Sequence, residues 1–236
     1  MLRELMMAGA MVATAPVGGA TPPSGDTVAA ADRATVDRAF LLVTQHQPAA
    51  AVAEVDKVIA ASESRQKSEP TRLVSCARTN EETLLNLLEA SAAKRSGIVV
   101  DGAYCDALFV KGFALIDLGD AAGGRAMYQA ALSHEPRHAW YRGELAETYK
   151  AARDWPRALA EFTQAAADAR IFSPPNVKTQ ELGRALRGMG YALSEMGRLD
   201  EAEAKYRECL KIDPKDKGAM NELLYIAQQR RLMVKS

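Results

Sequence analysis

Residues 183–214 read GRALRGMGYALSEMGRLDEAEAKYRECLKIDP. Leu186, Met189, Gly190 and Leu193 recur at spacings of three and four, which puts them on one face of a helix. Gly197 is placed for a turn. Asp200 and Glu201 then bring negative charge to the start of a second helix, where the macrodipole favours it. That helix carries Ala202, Tyr206, Cys209 and Leu210, and Pro214 stops it. The small residues Gly190 and Ala202 let the two helices approach closely.

The same pattern recurs upstream. In 105–138, Leu108, Gly112 and Leu115 line a first helix. Gly119 turns, and Gly124, Tyr128, Ala131 and Leu132 line a second that Pro136 ends. In 139–172, Leu145, Ala146 and Tyr149 are followed by Ala158, Phe162 and Ala165. Pro156 opens the second helix, where its missing N–H costs nothing. Arg170 stands in the place of the terminating proline, so this helix is expected to run on to Phe172. Tyr128 and Phe162 are 34 residues apart, and Phe162 and Tyr206 are 44 apart. The difference is an insertion, read as a loop around Ser173-Pro174-Pro175-Asn176.

These units, 105–138, 139–172 and 183–215, resemble tetratricopeptide repeats, helix–turn–helix units that stack into a solenoid. The resemblance implies an all-α superhelix with no appreciable strand. Past Pro214, Met220, Leu223, Leu224 and Ala227 make an amphipathic helix within 216–236, which suits a cap on the open end of the stack.

Residues 32–104 read as degenerate helical repeats. Val36, Ala39, Phe40 and Val43 share one stripe. Pro48 opens a helix bearing Ala51, Val52, Val55, Val58 and Ile59. Residues 71–96 read as helix, with a capping box at Thr79 and Glu82 ahead of Leu84, Leu85, Leu87 and Leu88. Repeat counting places Ala90 in the small-residue slot and disagrees with the cap over where that helix ends. Residues 21–31 read as a linker. Residues 1–20 look like a secretory signal peptide, with Arg3, an apolar run from Leu5 to Thr14 and an exit at Gly18-Gly19-Ala20. The run is shorter than the roughly 20 residues a membrane span needs. The other reading of this segment is an alanine-rich tail retained in the cytosol.

Thirty basic and thirty acidic side chains cancel, so no global field draws the chain to nucleic acid or an anionic membrane. Pro136 lies between His134 and His138 and breaks the helical spacing a metal would use, which leaves a solvated turn. No phosphate loop, dinucleotide fingerprint, nucleophile elbow or zinc-protease motif occurs. An enzyme site within Asp32–Ser96 is therefore the weakest reading, and no cofactor or metal is expected. Cys209 falls in a helix–helix slot as a buried, inert thiol. Cys76 and Cys105 have the choice of pairing if the chain is exported.

The family resemblance implies a concave groove lined by the first helix of each repeat. Carried over, its candidate partner-binding residues are Phe109, Phe113, Trp140, Glu144, Glu147, Arg184, Arg187 and Tyr191. Aromatic anchors with charges of both signs suit a peptide groove. The competing reading of Phe109 and Phe113 is core against the upstream helices. The carboxylate clamp of chaperone-binding members is not matched: Phe109 and Phe113 replace its lysine and asparagine, and Glu144 would repel a ligand carboxylate. The expected function is a non-catalytic module that binds a segment of another protein, in the bacterial periplasm. The alternative is a cytosolic chaperone or adaptor. Partner and oligomeric state are not set by the sequence.

Overall fold

The computed structural model describes residues 24–100 and 102–233. In chain order these are α1 (Ser24–Thr44), α2 (Pro48–Ser68), β1 (Arg72–Cys76), α3 (Asn80–Ala92), β2 (Ser96–Val100) and α4 (Ala103–Asp117). There follow α5 (Ala121–His134), α6 (Ala139–Ala151), α7 (Trp155–Phe172), α8 (Pro175–Glu195), α9 (Leu199–Ile212) and α10 (Lys217–Met233). The architecture is an all-α solenoid of antiparallel hairpins, α1–α2, α4–α5, α6–α7 and α8–α9, closed by α10.

Each repeat is locked by an aromatic ring seated on a residue with little or no side chain. A Cβ on Gly112 would lie 2.7 Å from the Tyr128 ring, and one on Gly190 would lie 2.6 Å from the Tyr206 ring. The Phe162 ring fills the same kind of space over Gly188 of the next hairpin, 2.4 Å from where a Cβ would stand. All three rings are fully buried. Helices this close exclude water along their whole contact, which is the main favourable term for a small-residue core.

All four hairpins turn in the same way. The residues at positive φ in these four turns are His46, Gly119, Arg153 and Gly197. In each case that residue's N–H bonds the carbonyl three back, and the next N–H bonds the carbonyl five back: Gly119 to Ile116 and Asp120 to Leu115, for example, at 3.0 and 2.9 Å. This left-handed cap satisfies the last carbonyls of the first helix. His46 and Arg153 hold it without glycine, so α1–α2 turns like the later hairpins although its sequence does not advertise it.

Several expectations are corrected. The linker read over 21–31 is helix from Ser24 onward, and the leader read over 1–20 lies outside the described residues. Residues 71–96, read as helical, instead enter a β1–α3–β2 unit that runs on to Val100, with a parallel pairing of Val74 to Ile98. Leu73-Val74 and Ile98-Val99-Val100 are β-branched or aliphatic runs too short for a helical face, and they pair instead. Only α3 is helical there. Its capping box stands as read: Glu82 N–H donates to Thr79 Oγ1 at 3.2 Å, and Thr79 N–H donates to Glu82 Oε2 at 3.2 Å. Ala90 is buried against Gly97 of β2 rather than against a repeat partner. The insertion read as a loop around 173–176 is absorbed as extra helix, because α7 runs on to Phe172 and Pro175 sits in the first turn of α8. In α10 the inward face is Ala219, Leu223 and Ile226. Met220, Leu224 and Ala227 point outward, because the Asp216 cap on the Ala219 N–H sets the phase.

A disulfide between Cys76 and Cys105 ties β1 to α4. Lys111, which breaks the apolar pattern of α4, reaches Asp56 of α2 at 2.7 Å.

The seating of Tyr206 yields a paired test by urea unfolding. Gly190→Ala is expected to destabilise by about 1–3 kcal/mol, since the ring has nowhere to move. Gly143→Ala, whose new Cβ meets nothing nearer than 3.7 Å, is expected to stabilise by up to about 1 kcal/mol through helix propensity. Equal effects of either sign would contradict the packing.

Candidate functional site

The first helices of the last two hairpins, α6 and α8, lie directly against each other and form a continuous wall. Gly143 opens the space between them. Its missing Cβ leaves the Arg184 guanidinium, reaching over from α8, 3.7 Å from the vacant position. Arg184 Nη1 stands 2.7 Å from Glu144 Oε1, close as an ion pair but not aligned as a hydrogen bond. The same guanidinium lies over the Trp140 ring, 4.4 Å from its centroid. One turn along, Lys150 pairs with Glu147 at 2.7 Å and places its ammonium 4.8 Å from the Tyr191 ring centroid. Trp155 flanks Tyr191 at 6.0 Å. Arg187 donates to Asp216 at the foot of α10.

The wall is thus a strip of two half-buried aromatics, Trp140 and Tyr191, each under a cation that an acid holds in place. Cation–ring contacts of this kind contribute about 0.5–1 kcal/mol where exposed and more when desolvated. They fix ring orientation before any partner arrives. Net charge along the strip is small, so it offers flat apolar area with directional polar edges.

The candidate residues fall into two groups. Phe113, Trp140, Glu147, Arg184, Arg187 and Tyr191 are half-buried. Phe109 is not: it is 2% exposed, stacks on Tyr141 at 4.8 Å and touches Phe40 and Tyr128 at 6.1 and 5.5 Å. The α1–α2 hairpin covers this end of the stack and makes Phe109 core. Glu144 is likewise buried, so it is the counter-ion of Arg184 rather than a contact surface.

Sequence reading missed a buried polar cluster where β1–α3 meets the repeats. Arg78, just after β1, donates from Nη1 and Nη2 to the two Glu181 oxygens of α8 at 2.6 and 3.2 Å. Its Nε is 3.8 Å from Glu135. Ser173 also donates to Glu181. Arg137 donates to Asn86 Oδ1 at 3.1 Å, and Asn86 Nδ2 donates to the Cys76 carbonyl at 3.0 Å. The histidines are not a solvated turn. His138 is buried, caps α6 by accepting from Tyr141 N–H at 3.3 Å, and stacks on the Tyr141 ring. Burial first, then the Arg78 charge, hold its imidazole well below the ordinary histidine range. His134 Nδ1 is 2.9 Å from the Val74 carbonyl of β1. The one signal for this cluster was a charge-rich stretch around Pro136, His134-Glu135-Pro136-Arg137-His138, which sequence alone gives to solvent.

Burial pushes the Glu135 carboxyl up to about 8, against a smaller opposing effect from Arg78, whose planar fork is already spent on Glu181. Glu135 lies within 4.8 Å of both Cys76 and Cys105 sulfurs, but with those sulfurs bonded to each other the trio offers no thiolate to a metal. Burial pushes the Cys209 thiol up to about 12, consistent with an inert core cysteine.

Residues 183–216 match the model of the tetratricopeptide repeat. Among solved structures, the chain is similar to PilF of Pseudomonas aeruginosa, with a TM-score of 0.61 at 12% identity over 89% of this chain and 73% of that one. It is similar to MamA (AMB-1), with a TM-score of 0.51 at 15% identity over 87% and 84%. The first repeat domain of Spaghetti (RPAP3), solved bound to an HSP90 peptide, aligns at a TM-score of 0.49 and 22% identity over 56% and 99%. No curated protein matches the sequence. At these identities the likeness to PilF and MamA is one of fold.

The Glu135 environment gives a signed pH dependence. Unfolded, its carboxyl ionises near the ordinary glutamate value of 4.5; folded, it keeps its proton to about 8. Between those values the folded state binds more protons, so this group's contribution to stability falls as pH rises, by at most about 1.4 kcal/mol per pH unit. Glu135→Gln removes the titration. Its stability relative to the parent is expected to climb steadily across that window in urea titrations; a difference that stays flat would contradict the assignment.

Proposed function

We propose that this chain, whose residues 183–216 match the tetratricopeptide repeat, is a non-catalytic interaction module that holds a segment of another protein against the α6–α8 wall. The observation that carries this reading is the pair of half-buried aromatics, Trp140 and Tyr191, each pre-set under a cation, on the face that the hairpin packing leaves free. Rigid, oriented aromatics lose little entropy on binding and typically dominate interface energies. Phe113 extends the apolar strip toward α4. The partner segment that fits is mixed apolar and polar. A terminal carboxylate is a poor match, since Arg184 is already neutralised by Glu144.

We place the module outside the cytoplasm, in the bacterial periplasm. The support is the leader-like composition of 1–20 together with a fully buried disulfide, a bond that persists in oxidising compartments.

Two experiments test these statements. In affinity capture from native cells, Trp140→Ala and Tyr191→Ala are expected to weaken retention of the specific partner at least about tenfold, with helicity kept and melting nearly unchanged, because a truncated hot spot costs about 2 kcal/mol or more. Retention at parental level would reject the wall. For location, alkylation of the acid-quenched, denatured protein from native cells is expected to label only Cys209 among the three cysteines, on a chain that lacks Met1. Three labelled thiols on an intact N-terminus would favour the cytosolic reading.

A further inference from the structure

The helix α3 is amphipathic in the inverted sense. Its buried positions are Glu82, Asn86 and Ala90, and the first two are spent on the cap and on Arg137 and the Cys76 carbonyl. Three of its four leucines face out: Leu84, Leu87 and Leu88 are 58%, 42% and 55% exposed. Spaced three and four apart, they form one stripe. A soluble helix that turns its polar side inward and its leucines outward is half of an interface.

Through Leu87 the stripe adjoins β2, the open edge of the sheet. α3 packs chiefly on β2, and the Leu87 Cα lies 3.9 Å from where a Gly97 Cβ would stand. Glu89, on the other flank of α3, turns back to Arg137 of the repeats. β1 is flanked by α5 through His134 at the Val74 carbonyl. Among the described residues β2 has a strand neighbour on the β1 side only, so alternate backbone groups of Ser96–Val100 point outward unpaired. A two-stranded sheet is also below the size that is stable by itself.

We propose that α3 and the free edge of β2 form the interface of a symmetric dimer of this chain, with β2 pairing antiparallel to its own copy. The result is a four-stranded sheet in the order β1-β2-β2-β1, with the two α3 helices side by side on one face. A two-fold contact requires a surface that complements itself, and an edge strand does so by antiparallel pairing. The same rotation sets the two α3 helices antiparallel, and their leucine stripes cover each other. It also brings exposed Glu81, in the first turn of one α3, to exposed Lys94 just past the end of the other, a match of both charge and helix dipole. A lone strand from a different partner would satisfy the edge but leave the leucines in water. A second copy satisfies both at once. The α6–α8 wall takes no part in this contact.

Sedimentation equilibrium of the full chain tests this. The expected result is twice the chain mass at micromolar concentration, with exchange of the 96–100 amides slowing as concentration rises. Leu84→Lys with Leu88→Lys, both exposed in the monomer, is expected to weaken dimerisation at least about tenfold while leaving the melting of the monomer unchanged. A chain that stays monomeric to about 1 mM overturns the proposal. So does a double variant that dimerises as tightly as the parent, or a monomer whose β2 edge is protected only by added peptide.

Discussion

The structure depends on how closely the two helices of a hairpin approach. Tyr128 and Tyr206 lie on the backbone of Gly112 and Gly190, and Phe162 lies on Gly188 of the following hairpin. These contacts use the inner faces of the helices. On the wall formed by α6 and α8, where the Arg184–Glu144 pair joins the two helices, Trp140 and Tyr191 are held half-exposed. Those two rings are available for function because the deepest packing is supplied by other residues.

The β1–α3–β2 insertion is held by different forces. Its docking is polar and covalent: the Arg78–Glu181 pair, the Arg137–Asn86 bond and the Cys76–Cys105 disulfide. Removing one partner of such a buried pair leaves an uncompensated charge and is strongly destabilising. Because polar groups make this joint, the leucines of α3 are spared for the outside. The chain therefore carries two separate surfaces, an aromatic wall on the repeats and an aliphatic stripe on the insertion.

The repeats were legible because glycine and aromatic residues at a fixed spacing have one cheap arrangement, a ring over a bare backbone. The α1–α2 hairpin was harder to read, since His46 takes the left-handed turn position where Gly119 and Gly197 signal it openly. The strands were hidden because five-residue apolar runs carry no helical or strand period long enough to decide between them. Within the wall, slot counting placed Trp140, Glu147, Arg187 and Tyr191 on an accessible face. It could not see that Phe40 closes over Phe109 or that Gly143 admits Arg184 onto Glu144, since both depend on contacts between hairpins.

Photo-crosslinking in the native cell tests the interaction wall most directly. A photoreactive side chain at position 191 is predicted to join the chain to one recurring partner, with the same partner captured from position 113. From position 171, where Ile171 is 69% exposed on α7, it is predicted to capture none of it. Capture from 171 with silence at 191 and 113 would contradict the account and move the functional surface off the α6–α8 wall.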